Sequence, residues 1–225
     1  MSRRDITIAL MSRRDISLDI VVTACHRVRY PRRMPRWEHG SQERLKRAAM
    51  ELFDEQGFES TSAVQIAQRA GVTTRTFFRY FPDKQSILFV DADLLRVALL
   101  QGIHDAPDVT EPLAVVVRAL AGFDWEGLGP RESQRRRDAM ITSNPELLER
   151  ELNKQQQMSD ALGDALRHRG VESEAAELAA RVGIQVFQTA YRRWLTADGE
   201  TDLATVVNAS MSTLAAIMPA VTPRT

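Results

Sequence analysis

Thr74, Arg75, Thr76 and Arg79 fall within one stretch of six residues. That combination suits contact with nucleic acid. A guanidinium can make paired bonds to a guanine edge, and hydroxyls can reach base edges or phosphate oxygens. Nearby, Thr61, Ser62, Thr73 and Lys84 stand at the starts of short predicted segments. Side-chain donors and backbone amides at helix N-termini are suited to hold phosphates there. The chemistry of an enzyme lacks its parts. There is no glycine-rich phosphate loop and no pair of histidines on one helix, since His26, His39, His104 and His168 are scattered. His104 with Asp105 and Asp108 has the donor types for a metal, but a loop at a helix end accounts for them more simply. The single cysteine, Cys25, excludes an intrachain disulfide framework and a four-thiolate zinc site, and nothing marks it as a nucleophile. No catalytic residue, metal or cofactor is expected.

The elements that must position these groups are legible as helices. Ser41 is placed to cap a first helix whose apolar positions, Leu45, Ala48, Ala49, Leu52 and Phe53, form one stripe. Gly57 ends it and Phe58 packs back beyond the glycine. Ser62 and Gln65 have capping-box spacing for a short second helix, with Ala63, Ile66, Ala67 and Ala70 inward. Ala70-Gly71-Val72 is a tight turn. Thr73 then caps a third helix from Thr74 to about Tyr80, which turns Phe77 inward and is followed by an inward Phe81. Pro82 and Asp83 stop it and start a long fourth helix carrying Ile87, Leu88, Leu94, Leu95 and Ala98. A short polar helix after a helix and a glycine turn is the helix-turn-helix arrangement, whose last helix enters the major groove.

Residues 45–88 resemble the DNA-binding domain of the TetR family of bacterial transcriptional regulators. The resemblance rests on Ala49, Leu52-Phe53, Gly57-Phe58, Thr61, Ile66-Ala67, Ala70-Gly71-Val72, Thr76-Phe77, Tyr80-Phe81, Lys84 and Leu88. It implies a homodimer with a variable helical ligand-binding domain, acting as a repressor relieved by a small molecule. It also implies phosphate contacts from Thr61 and Lys84. Thr74, Arg75 and Arg79 are candidates for base or backbone contacts. One position departs from the pattern: many members have Tyr where this chain has Phe78. A phenyl ring cannot make that hydroxyl's bond to phosphate, so either Tyr80 or Arg79 supplies it or affinity is lower.

The remaining chain reads as helices. Asn144-Pro145 starts one that ends at Gly170, with Leu147, Leu148, Leu152, Met158, Leu162 and Leu166 apolar. Another runs from about Ser173 to Leu195 and a last one from about Thr201 to Met218. The family resemblance implies that these two pair with their counterparts in a dimer. Val182, Val186, Phe187, Ala190, Trp194, Val207, Met211 and Leu214 are the expected interface residues. A ligand pocket is expected between helices of such a bundle, with Leu99, Val117, Phe123, Trp125, Met140, Gln188 and Tyr191 as candidates. That set favours an apolar or amphipathic effector. Arg135-Arg136-Arg137 suits an anionic effector or simply a solvated helix face. The segment Phe187–Leu195 resembles a group of actinobacterial members that includes mycofactocin-associated regulators.

The expected fold class is therefore all-α. Residues 1–40 are expected to form a basic, disordered leader, 41–88 the three-helix DNA-binding domain, 89–218 the helical ligand-binding and dimerisation bundle, and 219–225 a tail. The leader repeats Met-Ser-Arg-Arg-Asp-Ile at Met1 and Met11. It reads either as a cationic arm that follows phosphates or as an extension upstream of a start at Met11 or Met34. No stretch approaches the roughly 20 apolar residues of a membrane span. Asp15 and Asp19 also interrupt the one candidate export signal, before Cys25, so a cytoplasmic protein is expected. The chain's 30 basic and 30 acidic side chains balance. Residues 1–90 hold 16 basic and 10 acidic groups, so the balance hides a basic first part and an acidic remainder. An architectural, weakly specific DNA-binding protein using the basic arm is the alternative function.

Overall fold

A computed structural model of the chain describes residues 38–197 and 201–218. The readings on residues 1–37 of the leader, the tail and Cys25 lie outside the described residues, while 38–40, expected in the leader, belong to the first helix. The described residues are helical, with no strand among them.

Helix α1 (Glu38–Gln56) begins before Ser41, so that serine is not its cap. Its apolar stripe is buried as expected, with Leu45 and Ala49 fully enclosed. The chain leaves α1 through Gly57, whose φ of +83° is the left-handed conformation glycine adopts without strain. Phe58 folds back onto Phe53, with ring centroids 5.1 Å apart. Helix α2 (Ala63–Arg69) opens with a complete capping box between Ser62 and Gln65. Gly71, at φ +67°, turns the chain into α3 (Thr74–Tyr80), capped by Thr73. Phe77 and Phe81 are almost wholly enclosed and close the first core.

The long fourth helix expected from sequence is two pieces. A 3-10 segment, Gln85–Phe89, precedes α4 (Ala92–His104). The Asp83 carboxylate accepts from the Ser86 amide at 2.6 Å and its hydroxyl at 2.7 Å, fixing a tight start. Ile87, Leu88 and Phe89 are all buried. They lie between α1 and the later helices, because Ile141 and Leu147 belong to the same core.

The second core is built from α5 (Pro112–Ala121), α7 (Pro145–His168), α8 (Ser173–Thr196) and α9 (Leu203–Ile217), with Leu99 and Ile103 of α4. Helix α6 (Arg131–Ser143) runs beside α7 and α8. Asn144 caps α7, accepting from the Glu146 and Leu147 amides, with Pro145 in the first turn. Small residues let helices approach closely: Gly163 faces Ala176 and Ala180, and Gly183 sits against Val116 of α5. Arg169 donates to the carbonyls of Ile103 (2.7 Å), His104 (2.6 Å) and Ala106 (2.8 Å). It thereby satisfies acceptors that the end of α4 leaves open.

Candidate functional site

Two regions hold the residues singled out by sequence. The first is the outer surface of α2, its turn and α3. Arg75 is exposed and has no hydrogen bond or ion pair within the described residues. Thr74 is half-buried beside it. Thr73 and Thr76 serve the cap: the Thr73 hydroxyl accepts from the Thr76 amide at 3.1 Å, and the two hydroxyls are 2.9 Å apart. Arg79 donates to the Tyr80 hydroxyl at 3.0 Å and lies 4.8 Å from that ring's centroid. Ser62 is exposed, with its hydroxyl and amide engaged in the capping box.

Thr61 and Lys84, the residues expected to contact phosphates, are engaged within the chain. Thr61 is only 2% exposed. Its hydroxyl donates to the Gly57 carbonyl at 2.8 Å and accepts from Gln56 Nε2 at 3.1 Å. The Lys84 ammonium meets three carbonyls, of Phe58 (2.8 Å), Thr61 (3.1 Å) and Glu59 (3.3 Å), and rides 4.3 Å from the Phe58 ring centroid. An ammonium has three N–H donors, and all three are occupied by the loop after α1. Both residues hold that loop in the described structure.

The second region is a cavity of about 260 Å³. Its apolar wall is formed by Leu99, Leu120, Trp125, Ile184 and Phe187, and Gln134, Gln188 and Tyr191 bring polar groups to it. Trp125 stacks on Phe187 at 4.8 Å, and Tyr191 packs against both rings. The Tyr191 hydroxyl donates to Gln134 Oε1 at 2.6 Å, while Gln134 Nε2 donates to the carbonyls of Trp125 and Gly129. Burial pushes the Tyr191 phenol up to about 12; Arg137 opposes the rise, and the charges of Asp138 and Glu151 add to it. Burial likewise raises the Asp138 carboxyl, against the opposing charges of Arg192 and Arg137.

Four of the seven expected pocket residues line this cavity: Leu99, Trp125, Gln188 and Tyr191. Val117, Phe123 and Met140 do not. Val117 is closed into the second core, Phe123 packs edge-on to Trp125, and Met140 packs against the first core. Sequence reasoning missed the opposite wall: Lys46 and Met50 of α1, and Leu88 and Phe89 of the 3-10 segment. Of the three consecutive arginines, only Arg137 lines the cavity. Arg135 pairs with Glu132 and Arg136 with Asp54. Arg137 Nε donates to the Leu88 carbonyl at 2.6 Å, and its guanidinium lies 5.6 Å from the Phe89 ring centroid. Arg150 and Lys154 approach the same ring, at 5.2 and 5.6 Å. His104 and Asp105 pair at 2.9 Å, and Asp108 bonds Thr110.

The expected dimer residues divide in two. Phe187, Ala190, Trp194 and Val207 are buried within the chain, because α8 is packed against α5, α6, α7 and α9. Met211 is half-buried against the same core. Val182, Val186 and Leu214 line an open groove along α8 and α9, together with Gln185, Thr189, Ser210 and Ile217, although Val186 is itself buried.

A short polar helix after a glycine turn, followed by a helical bundle with a cavity, is the architecture of a helix-turn-helix protein. Comparisons with known proteins give the family. The model of bacterial regulatory proteins of the tetR family matches residues 45–89, and the MftR C-terminal domain matches 110–219. The chain belongs to the TetR family. It is 33% identical over 90 residues to the HTH-type transcriptional regulator TcmR of Streptomyces glaucescens, covering 39% of this chain and 40% of that one. It is 36% identical over 100 residues to the transcriptional regulator MftR of Mycobacterium tuberculosis, covering 44% and 50%. The matched stretch thus spans half or less of these relatives. The fold is similar to that of native NalD of Pseudomonas aeruginosa, with a TM-score of 0.56 and 19% identity over 80% of this chain and 96% of that one. Among the described residues no helix is long and apolar enough to cross a membrane.

Proposed function

We propose that this chain is a homodimeric transcriptional repressor that leaves its DNA operator when a small molecule occupies the cavity between α4, α6, α7 and α8. The observation that carries this reading is the shared wall. Lys46, Met50, Leu88 and Phe89 face the same space as Trp125, Phe187 and Tyr191, so an occupant touches the DNA-binding module and the bundle at once. Arg137 is the physical link, lining the cavity and bonding the Leu88 backbone. The cavity's apolar rings and charged rim suit an amphipathic effector.

Dimerisation is supported by the α8–α9 groove. Val182, Val186, Thr189 and Arg193 follow one another at spacings of four, three and four on α8, the pattern of a packing seam. Between the helices, the buried Ser210 hydroxyl has no hydrogen-bond partner within the described residues. A second copy would place two α3 helices to meet half-sites about 34 Å apart, or a multiple of that. Effector binding has to favour the non-DNA conformation, since a ligand indifferent to the two states releases nothing. The architectural alternative depends on the basic leader, and no described residue favours it.

The test is selection of duplexes from a random pool by the full chain. A paired, inverted half-site is expected, protected by a dimer. Arg75→Ala should weaken operator binding by about 1–3 kcal/mol and relax preference at one position per half-site, measured by anisotropy on singly substituted duplexes. Equal weakening on every sequence would remove Arg75 from base reading. A ligand found by thermal shift should then raise the operator Kd of the wild type. In Arg137→Gln, with the ligand raised to saturation, the ratio of operator Kd with and without it should fall towards one. Unchanged coupling would place the link elsewhere.

A further inference from the structure

Phe78 is 53% exposed. Among the described aromatic side chains it alone belongs to neither hydrophobic core. A single exposed apolar residue is ordinary on a protein surface, so its position decides what it means. With 3.6 residues per turn, Phe77 marks the inward direction of α3, being fully buried. Arg75 and Arg79 then point outward, with Phe78 on one flank and Thr76 on the other. The ring is steadied edge-on against Phe77, at 5.2 Å and 82°. Its neighbours are largely committed: Thr73 and Thr76 to each other, and Arg79 to Tyr80. Arg75 and Phe78 are the exposed side chains of this helix with no such commitment.

A phenyl ring has no donor or acceptor for a phosphate. What the major groove offers an apolar ring is the C5-methyl group of thymine. We infer that Phe78 is a specificity-determining residue whose ring packs on the methyl of one thymine in each operator half-site. If Arg75 bonds a base, three residues of helical rise, about 4.5 Å, against about 3.4 Å per base pair put that thymine within one or two base pairs of it. This rests on the reading that α3 enters the major groove.

The experiment uses the operator selected by the full chain. Each thymine of both half-sites is replaced in turn by deoxyuridine, which removes only the methyl group. One thymine per half-site should respond, with binding weakened about fourfold per half-site, the value of one buried methyl. Phe78→Ala should bind the thymine and uracil duplexes equally, and Phe78→Leu should keep part of the preference. The leucine variant also guards against a folding loss in the alanine variant, checked by melting temperature. If no thymine responds, or if Phe78→Ala keeps the full preference, the inference is overturned while the repressor reading stands. If the full chain selects no sequence, the DNA-binding reading fails, and the inference with it.

Discussion

Lys84→Ala is expected to destabilise the DNA-binding module by about 2–3 kcal/mol, the range for losing charge-assisted hydrogen bonds together with a cation–π contact. The ammonium serves three carbonyls of the loop between α1 and α2 and the face of Phe58. Removing it leaves those acceptors with poorer partners and loosens the base on which α2 and α3 sit. Lys84→Met keeps the aliphatic packing and should recover only the smaller part of the loss. Urea unfolding measures the stability. Operator affinity across a salt series separates this role from a phosphate contact. A phosphate-binding lysine lowers the slope of log K against log salt by about 0.9 when removed. A structural lysine leaves the slope unchanged while weakening binding to every sequence. Unchanged stability with a reduced slope would restore the phosphate role.

The second large effect concerns the crossing of α5 and α8. A Cβ at Gly183 would stand 2.6 Å from Val116 Cγ1 and 3.2 Å from its Cβ. Val116 is fully buried, and a β-branched side chain in a helix has one strongly preferred rotamer, so it has no easy retreat. Alanine gains up to about 1 kcal/mol over glycine in helix propensity, but overpacking of a filled core costs about 1–3 kcal/mol. Gly183→Ala should therefore destabilise by about 1 kcal/mol, and Gly183→Val by about 3 kcal/mol. Val116→Ala removes the clashing methyls. In the double variant with Gly183→Ala the two losses should fail to add by at least about 1 kcal/mol, measured by chemical denaturation. Simple additivity would show that the helices move apart instead.

Much of the first module was legible because its signals are local. A capping box, a glycine at positive φ and a threonine cap each involve residues a few positions apart, and all three stand where the spacing put them. The intrachain contacts of Thr61 and Lys84 were not legible in the same way. Spacing places a lysine near a helix start, but whether it meets a phosphate or a carbonyl 26 residues back is decided by the loop's path. The fourth helix was overextended because an apolar run cannot by itself separate one helix from a 3-10 turn followed by another. On α8, apolar residues occupy two faces, so sequence identified the helix but not which face stays open. Phe187 and Trp194 went inward, while Val182 and Val186 remained on the groove. The cavity was half legible: its bundle wall includes Trp125, Gln188 and Tyr191, but its other wall comes from Lys46 and Met50 of α1 and Leu88 and Phe89 of the 3-10 segment.

That borrowed wall has a thermodynamic consequence. If the module supplies Lys46, Met50 and Phe89 to the effector's surroundings, the effector's affinity depends on where the module stands. Linkage is reciprocal: whatever factor the effector takes from operator affinity, the operator takes from effector affinity. On the proposed function, the protein on its operator would therefore be a poorer receptor than the protein in free solution. The concentration needed for release would then rise with the amount of DNA available, making the threshold a property of the promoter as well as of the protein.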